Sequence, residues 1–494
     1  MEGTMINRFR SVSLSLLTLL LLSISILPTK VHSAGELDIA QDAWTVSAEN
    51  KTGATQSSNA PAAGQDVISQ AASLIQQARE QGLDYLRTKS DQSKKSAKKN
   101  LEEAEKILKK ELKNNSECER CVENLSLTYF YQSLFGFSSR YDECASTAEE
   151  GLAKFPSNSR LAYIKAAAHY NCRQYREAIR ALKLFLAISR GDPQTEEKAR
   201  QLLQESHQLF LNNWNMQANF YGSRESRIEV MNPQAGRMEV IFQTTPEWEL
   251  TQGAQAYTAL TSNVRQLQDA EMQSYLEDLV SRLVSKTPGP NFNYKVTIID
   301  SPVVNAVTVP GHIMVATGLF TFADTESELV GVLAHELAHN YGHHAARRFI
   351  KATQAQLLAE YAASIVRALN PRSQTAQLIT QLAAQFGIGL FLNAYSRHEE
   401  KEADLYAAHI MFNAGWNPTA MSLTFLKMYK LHPKQPVKFL STHPPIQDRA
   451  DYMTDYLESF PLEREMRLDS EAFQKIKARL KGREPQGPVI PPLK

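Results

Sequence analysis

The chain has 494 residues, 43% of them hydrophobic and 22% charged, and a net charge of +1. That length allows two or three domains with cores of their own, and the composition is ordinary for a soluble globular protein. A charge so near zero provides no bulk attraction to nucleic acid or anionic lipid, so neither is an expected partner.

At the N-terminus, Arg8 and Arg10 precede the apolar run "SVSLSLLTLLLLSISIL" (11–27) and Pro28. Val31 and Ser33 fit the small-residue positions before a cleavage site at Ala34, so residues 1–33 read as a secretory signal peptide. Residues 34–66 are rich in Ala, Ser, Gln, Asn and Thr and read as a flexible leader. No later stretch reads as a membrane span. "LITQLAAQFGIGLFLNAY" (378–395) comes closest, but its Gln and Asn residues suit a buried or cleft-lining helix better.

From 67 to 210 the pattern is helical. Leu127 and Leu161, Tyr129 and Tyr163, and Tyr141 and Tyr175 are each 34 residues apart, with Cys144 and Ala178 three residues after the second tyrosine of each set. A 34-residue period with this pattern resembles tetratricopeptide repeats, helical hairpins that bury their apolar faces only by stacking. Such repeats imply a concave surface for a partner chain. The four cysteines, Cys118, Cys121, Cys144 and Cys172, lie in this region and allow three pairings. Export permits disulfides. The helical context argues against a redox C-x-x-C, and the lack of a second close pair argues against a four-cysteine zinc site.

Residues 211–244 form a linker in which "RIEVMNPQAGRMEVIF" (227–242) alternates, turns and alternates again, a β-hairpin signature. A further domain spans 245–460, with a helical stretch at 264–286 and strands "YKVTII" (294–299) and "HIMVAT" (312–317). The remainder, 461–494, reads as a C-terminal helix and a Pro-rich tail.

Candidate chemistry gathers at "HELAHNYGHH" (335–344). Asp324 or Thr325 can cap a helix, with Glu328 in the capping-box position. On that helix His335 and His339 are one turn apart on one face and can reach one ion, while Glu336 is turned about 100° from His335. Gly342 fits a longer motif that asks for histidine at 345, but residue 345 is Ala. His343 and His344 point away from the ligand face or past the helix end, as supporting or surface residues. A third ligand must come from elsewhere. "SRHEEKEADLYAAHI" (396–410) supplies Glu400 and Asp404 one turn apart on one face, with Glu399 and Glu402 off it. A carboxylate from this helix would complete three protein ligands and leave a fourth position, the pattern of catalytic zinc. Asp404 could then bond the far nitrogen of a ligand histidine.

"HELAH" followed by "SRHEEKEAD", with Glu400 61 residues after His339, resembles the M48 zinc metalloproteases. Within that family the chain is similar to exported soluble members rather than to those with several transmembrane helices. The pattern S-R-x-x-E-x-x-A-D falls on Ser396, Arg397, Glu400, Ala403 and Asp404, and so assigns the third ligand to Glu400. "NAVTVPGHIMVATGLF" (305–320) resembles the family's N-A-F-x-x-P-G stretch, with Val307 where an aromatic is common. "STHPPIQDR" (441–449) matches its S-x-H-P-x-x-x-x-R element and makes His443 and Arg449 candidates for stabilising an oxyanion. The resemblance implies a mainly α protein: tetratricopeptide-like hairpins, then an α+β gluzincin-type zinc protease domain with a small sheet. It also implies one Zn2+ and Glu336 as general base, with substrate entering as a strand beside 312–317. Unfolded or misassembled proteins would be its substrates in the periplasm, with an envelope protein on the repeats as a partner. A competing reading makes the repeats a chaperone and the metal site latent, with His443 as a fourth ligand.

Overall fold

The structure is a computed structural model that describes residues 63–189, 193–232, 236–288, 292–364, 394–431, 443, 448–461 and 465–483. The stretch read as a signal peptide, nearly all of the one read as a leader, most of 378–395 and nearly all of the Pro-rich tail lie outside the described residues. Among the described residues no helix is long and apolar enough to cross a membrane.

The chain divides into two compact units, residues 1–201 and 202–494. The first holds α1 (Ala63–Thr88), α2 (Asp91–Asn114), α3 (Glu119–Leu134), α4 (Tyr141–Lys154), α5 (Ser159–Asn171) and α6 (Tyr175–Ile188). In α2 the buried residues Ala97, Leu101, Ala104 and Leu108 recur at helical spacing, so one stripe faces the neighbouring helices. Helices α4 and α6 start 34 residues apart, which is compatible with the repeat period read in the sequence. Cys144 and Ala178 are both fully buried at the matching position. Cys118 and Cys121 form a disulfide at the start of α3. The boundary between the units falls within α7 (Pro193–Asn212).

The second unit begins with short 3-10 turns at Asn215–Gly222 and Arg224–Ser226, followed by the hairpin β1 (Arg227–Asn232) and β2 (Arg237–Gln243). Ile228 anchors the hairpin in an apolar cluster with Val309, Met314 and Phe349. Then come α8 (Pro246–Thr261), α9 (Ala270–Val284), β3 (Lys295–Ile299), β4 (Ala306–Val309), β5 (His312–Ala316) and α10 (Thr317–Phe322). The remaining helices among the described residues are α11 (Glu326–Tyr341), α12 (His344–Ser364), α13 (Arg397–Asn413), α14 (Thr419–Leu431), α15 (Arg449–Leu457) and α16 (Glu471–Lys481). The helical stretch expected over 264–286 is shorter, because Asp269 caps α9 by accepting from Met272 N at 3.0 Å. Helix α8 was not expected from the sequence, although Thr245 as cap and Pro246 at the first helical position signal it.

The sheet order is β3-β5-β4, with β5 parallel to β3 and antiparallel to β4. This corrects the expectation that substrate pairs beside 312–317. Strand β5 is central and both its edges are taken. The edge beside the metal helix is β4, a strand the sequence reading did not separate from the loop before β5.

Helix α11 is almost wholly buried. Thr325 caps it by accepting from Glu328 N at 3.3 Å, while the Glu328 carboxylate accepts from Asp324 N at 3.0 Å rather than from the cap residue itself. At the first turn the fully buried Glu326 accepts from Tyr275 Oη (2.9 Å), Trp416 Nε1 (2.8 Å), Ser470 Oγ (2.7 Å) and Arg467 Nε (2.6 Å). A carboxylate there also faces the positive end of the helix dipole. Gly331 lets α14 approach closely, since a Cβ on it would lie 3.0 Å from Met421 Cα. Ser396 and Glu399 form a reciprocal capping box that starts α13.

Candidate metal centre

Helices α11 and α13 pack so that His335 and His339 face Glu400 in a fully buried pocket. His335 Nε2 and His339 Nε2 are 3.1 Å apart. Glu400 Oε2 is 3.5 Å from His335 Nε2, and Glu400 Oε1 is 3.4 Å from His339 Nε2. His443 joins them, with Nδ1 3.2 Å from His335 Nε2 and 2.8 Å from Glu400 Oε1. Donor atoms of all four residues lie within 4.8 Å of one another. A tetrahedral zinc with bonds of about 2.0–2.1 Å has donor–donor edges of about 3.3–3.4 Å. The His335–His339 distance of 3.1 Å and those to the two Glu400 oxygens, 3.5 and 3.4 Å, bracket that value, and two imidazoles with a carboxylate are a zinc-type donor set. The residues therefore fit the ion that the motif implies.

The other ring nitrogens fix which lone pairs point inward. His335 Nδ1 lies 2.9 Å from Asp404 Oδ1 and donates to it, which leaves Nε2 with its lone pair facing the cluster. Asp404 is fully buried and also accepts from Arg449 Nη2 and Tyr452 Oη. Burial opposes its charge, but Arg449 and His335 hold its carboxyl below the usual range. His339 Nδ1 lies 2.7 Å from His344 Nδ1, and His344 Nε2 lies 3.1 Å from Glu402 Oε2, which also accepts from Arg347 Nη1 at 2.7 Å. With Glu402 accepting from His344, and His344 accepting from His339, His339 Nε2 likewise keeps its lone pair inward. Burial pushes the His339 imidazole well below its ordinary pKa, which favours the neutral form that a metal ligand needs. Burial raises Glu400, but the neighbouring charge of His443 outweighs it and holds the carboxyl well below the usual range.

Glu336 Oε2 accepts from Thr308 N at 3.0 Å, so the backbone of β4 fixes its carboxylate. Its other oxygen lies 3.0 Å from His443 Nε2. His443 thus sits between Glu336 and Glu400. Burial works against its charge, but these two carboxylates push its pKa up to about 9.

His335, Glu336, His339, Glu400, Asp404, His443 and Arg449 all fall in this cluster or against it. His343 and His344 are buried, 3% and 0% exposed, not on the surface. Of the places left open for them, His344 takes a supporting one past the helix end: α11 stops at Gly342 and His343 takes φ +51°, which swings His344 back toward His339. Arg449 makes its described contacts on the supporting side of the site, to Asp404, to Glu400 (3.7 Å) and over the Phe425 ring (3.6 Å). That geometry suits holding Asp404 more than meeting an oxyanion. The sequence reading also missed Tyr395, whose ring stacks on His339 at 3.7 Å, and the part played by Glu402. Only the adjacency of Tyr395 to the Ser396 cap hinted at the first.

Comparisons with known proteins agree with this geometry. Residues 266–456 match the model of peptidase family M48, so the resemblance seen in the motifs holds for this segment. The chain is 29% identical over 224 residues to a putative beta-barrel assembly-enhancing protease of Vibrio cholerae, covering 44% of this chain and 46% of that one. It is 27% identical over 203 residues to the beta-barrel assembly-enhancing protease of Escherichia coli K12, covering 40% and 41%. It is 30% identical over 167 residues to the human mitochondrial metalloendopeptidase OMA1, covering 33% and 32%. The chain thus spans less than half the length of each of these relatives.

Proposed function

We propose that this chain, built around an M48-type segment, is a zinc-dependent endopeptidase of the bacterial cell envelope that cleaves unfolded or misassembled proteins. The observation that carries the reading is the placement of Glu336. Its carboxylate is held by the Thr308 N–H, beside the donor cluster and on the outer side of β4, the edge strand among the described residues. In this reading His335, His339 and Glu400 hold the ion. When bound, the ion polarises a carbonyl and lowers the pKa of water to about 7.

The chain's own residues do the rest. An extended substrate pairs along β4, which brings its scissile bond over Glu336. Glu336 accepts the proton of the attacking water and passes it to the leaving amine. Asp404, held by Arg449 and Tyr452, keeps the His335 ring in one tautomer, and His344 does the same for His339. His443, placed 3.0 Å from Glu336, is the nearest described side chain able to donate to the developing oxyanion. The names of the Vibrio and Escherichia relatives support a role with envelope proteins, and the helical repeats would recruit clients or a partner chain. Export by the N-terminal segment would place the mature chain in the periplasm.

One observation favours a second reading, a repeat-based chaperone with a self-inhibited site. His443 Nδ1 lies among the donor atoms, where it can act as a fourth ligand. Both readings meet in one experiment. Casein is incubated with the full mature chain, the chelated chain, Glu336→Gln and His443→Ala. The protease reading requires cleavage by the wild type that chelation and Glu336→Gln both abolish. A zinc-loaded wild type that is inert, with His443→Ala active and degrading itself, supports the latch. Cleavage that survives chelation sinks both.

A further inference from the structure

The turn that follows the metal helix holds a second arrangement. His343 lies in the left-handed backbone region, φ +51°, where a non-glycine residue stays only if its surroundings hold it. Those surroundings come from about ninety residues or more earlier in the chain. His343 Nδ1 lies 3.0 and 3.1 Å from the two carboxylate oxygens of Glu249 on α8. Its ring stacks on Phe220 at 4.1 Å and 11°, and Tyr221 meets it edge-on at 5.0 Å. Tyr221 Oη donates to Glu249 at 3.1 Å, which orients the carboxylate. Glu249 is 4% exposed and His343 3%. A buried carboxylate that accepts from two side chains is fixed in place, and so is the imidazole it grips.

The next residue carries the consequence. Because the chain turns at His343, the His344 ring folds back over Gly342, where an added Cβ would sit 2.5 Å from His344 Nε2. Gly342 therefore leaves room for the ring, and His343 aims it. The ring then bridges His339 Nδ1 and Glu402, as described above.

We propose that Glu249 and His343 form a clamp that positions His344 on the far nitrogen of His339, and so sets the tautomer and orientation of a metal ligand. Neither clamp residue touches the donor cluster; both are positioning residues. The inference rests on the reading of His339 as a ligand.

The test is a set of double-mutant cycles in the full mature chain. His343→Asn tolerates the left-handed backbone but loses the stack on Phe220. Glu249→Gln keeps the shape and loses the charge. Each is made alone and on a His344→Gln background. Zinc affinity is read by competition with a chromophoric chelator, with the absorption spectrum of the Co2+-loaded chain as a second signature and far-UV circular dichroism as the folding control. Each single variant should weaken zinc about 10-fold, the low end for residues that support a ligand. On the His344→Gln background the further loss should be under about 2-fold, because the clamp acts through His344. Wild-type affinity in both single variants overturns the clamp. So does a full 10-fold loss repeated on the His344→Gln background, which would show a general effect on the fold. If His343→Asn does not fold, the isosteric Glu249→Gln cycle decides. A wild-type chain that takes up no zinc overturns the metal-centre reading and the clamp with it, whereas a zinc-loaded wild type with unchanged variants overturns the clamp alone.

Discussion

Replacing Asp404 by Asn tests whether the support of the metal centre also supports the fold. Asp404 is fully buried and serves three donors, His335 Nδ1 (2.9 Å), Arg449 Nη2 and Tyr452 Oη. Arg449 is itself only 6% exposed. With the charge of Asp404 removed, its remaining anionic neighbour is Glu400, 3.7 Å away. Removing one partner of a buried ion pair costs about 3–5 kcal/mol. The amide oxygen still accepts hydrogen bonds, so the low end, about 3 kcal/mol, is expected. For a unit of this size that is a fall in Tm of roughly 6 °C. A second effect is separate. Arg449 is drawn toward Glu400 and His335 loses its anionic partner, so zinc affinity should fall about 10–100-fold. Thermal unfolding of the metal-free chain reads the first effect, and chelator competition reads the second. A variant with wild-type Tm would show that Arg449 re-solvates freely and that the pair is not structural. Wild-type zinc affinity would show that Asp404 does not orient His335.

Other outcomes follow from the same geometry. Thr308→Pro deletes the N–H that holds Glu336 on the outer side of β4, the edge strand among the described residues and so a position where proline is tolerated. Casein cleavage should fall about 10-fold or more, the worth of a hydrogen bond to a charged group, with zinc content unchanged; equal loss of zinc would place the damage elsewhere. Glu326→Ala leaves four donors around a fully buried position and should destabilise by about 3–5 kcal/mol in urea unfolding; a loss under about 1 kcal/mol would refute the hub. His409 is buried between Phe210, Trp214 and Tyr456, and burial lowers its pKa to about 3. The unfolded chain binds that proton below about pH 6.5 and the folded chain does not until about pH 3, so stability falls as pH drops through that window, by about 1.4 kcal/mol per unit. His409→Phe should flatten the pH dependence of urea unfolding between pH 6 and 4; parallel curves would refute the assignment.

Much of the site was legible because its information is local. His335, Glu336 and His339 declare themselves by spacing on a capped helix, and the Ser396–Glu399 box marks where α13 begins. Glu400 was different. Spacing offered it together with Asp404, and only the resemblance chose between them. What stayed hidden depends on contacts distant in sequence or on a break in periodicity. Strand β4 is four residues long, "AVTV", without polar alternation, and its one signal was the Pro310-Gly311 turn that follows, with Gly311 at φ +83°. For His344 the reading left a supporting and a surface place open, because no local signal showed how the chain turns after Gly342. The partner of His343 is Glu249, 94 positions away, and no local pattern announces it.

The shortness of β4 has a consequence for selection. A rim of four residues, whose Thr308 N–H is already given to Glu336, would offer an incoming chain few main-chain groups and little room for side-chain discrimination. It can engage only a stretch whose own peptide groups are unengaged. A β-strand already zipped between two neighbours has nothing left to give, while the same strand left dangling from an unfinished assembly does. If the chain cleaves proteins as proposed, it would sort its targets by how completely their backbones are satisfied, and finishing the assembly would itself confer protection.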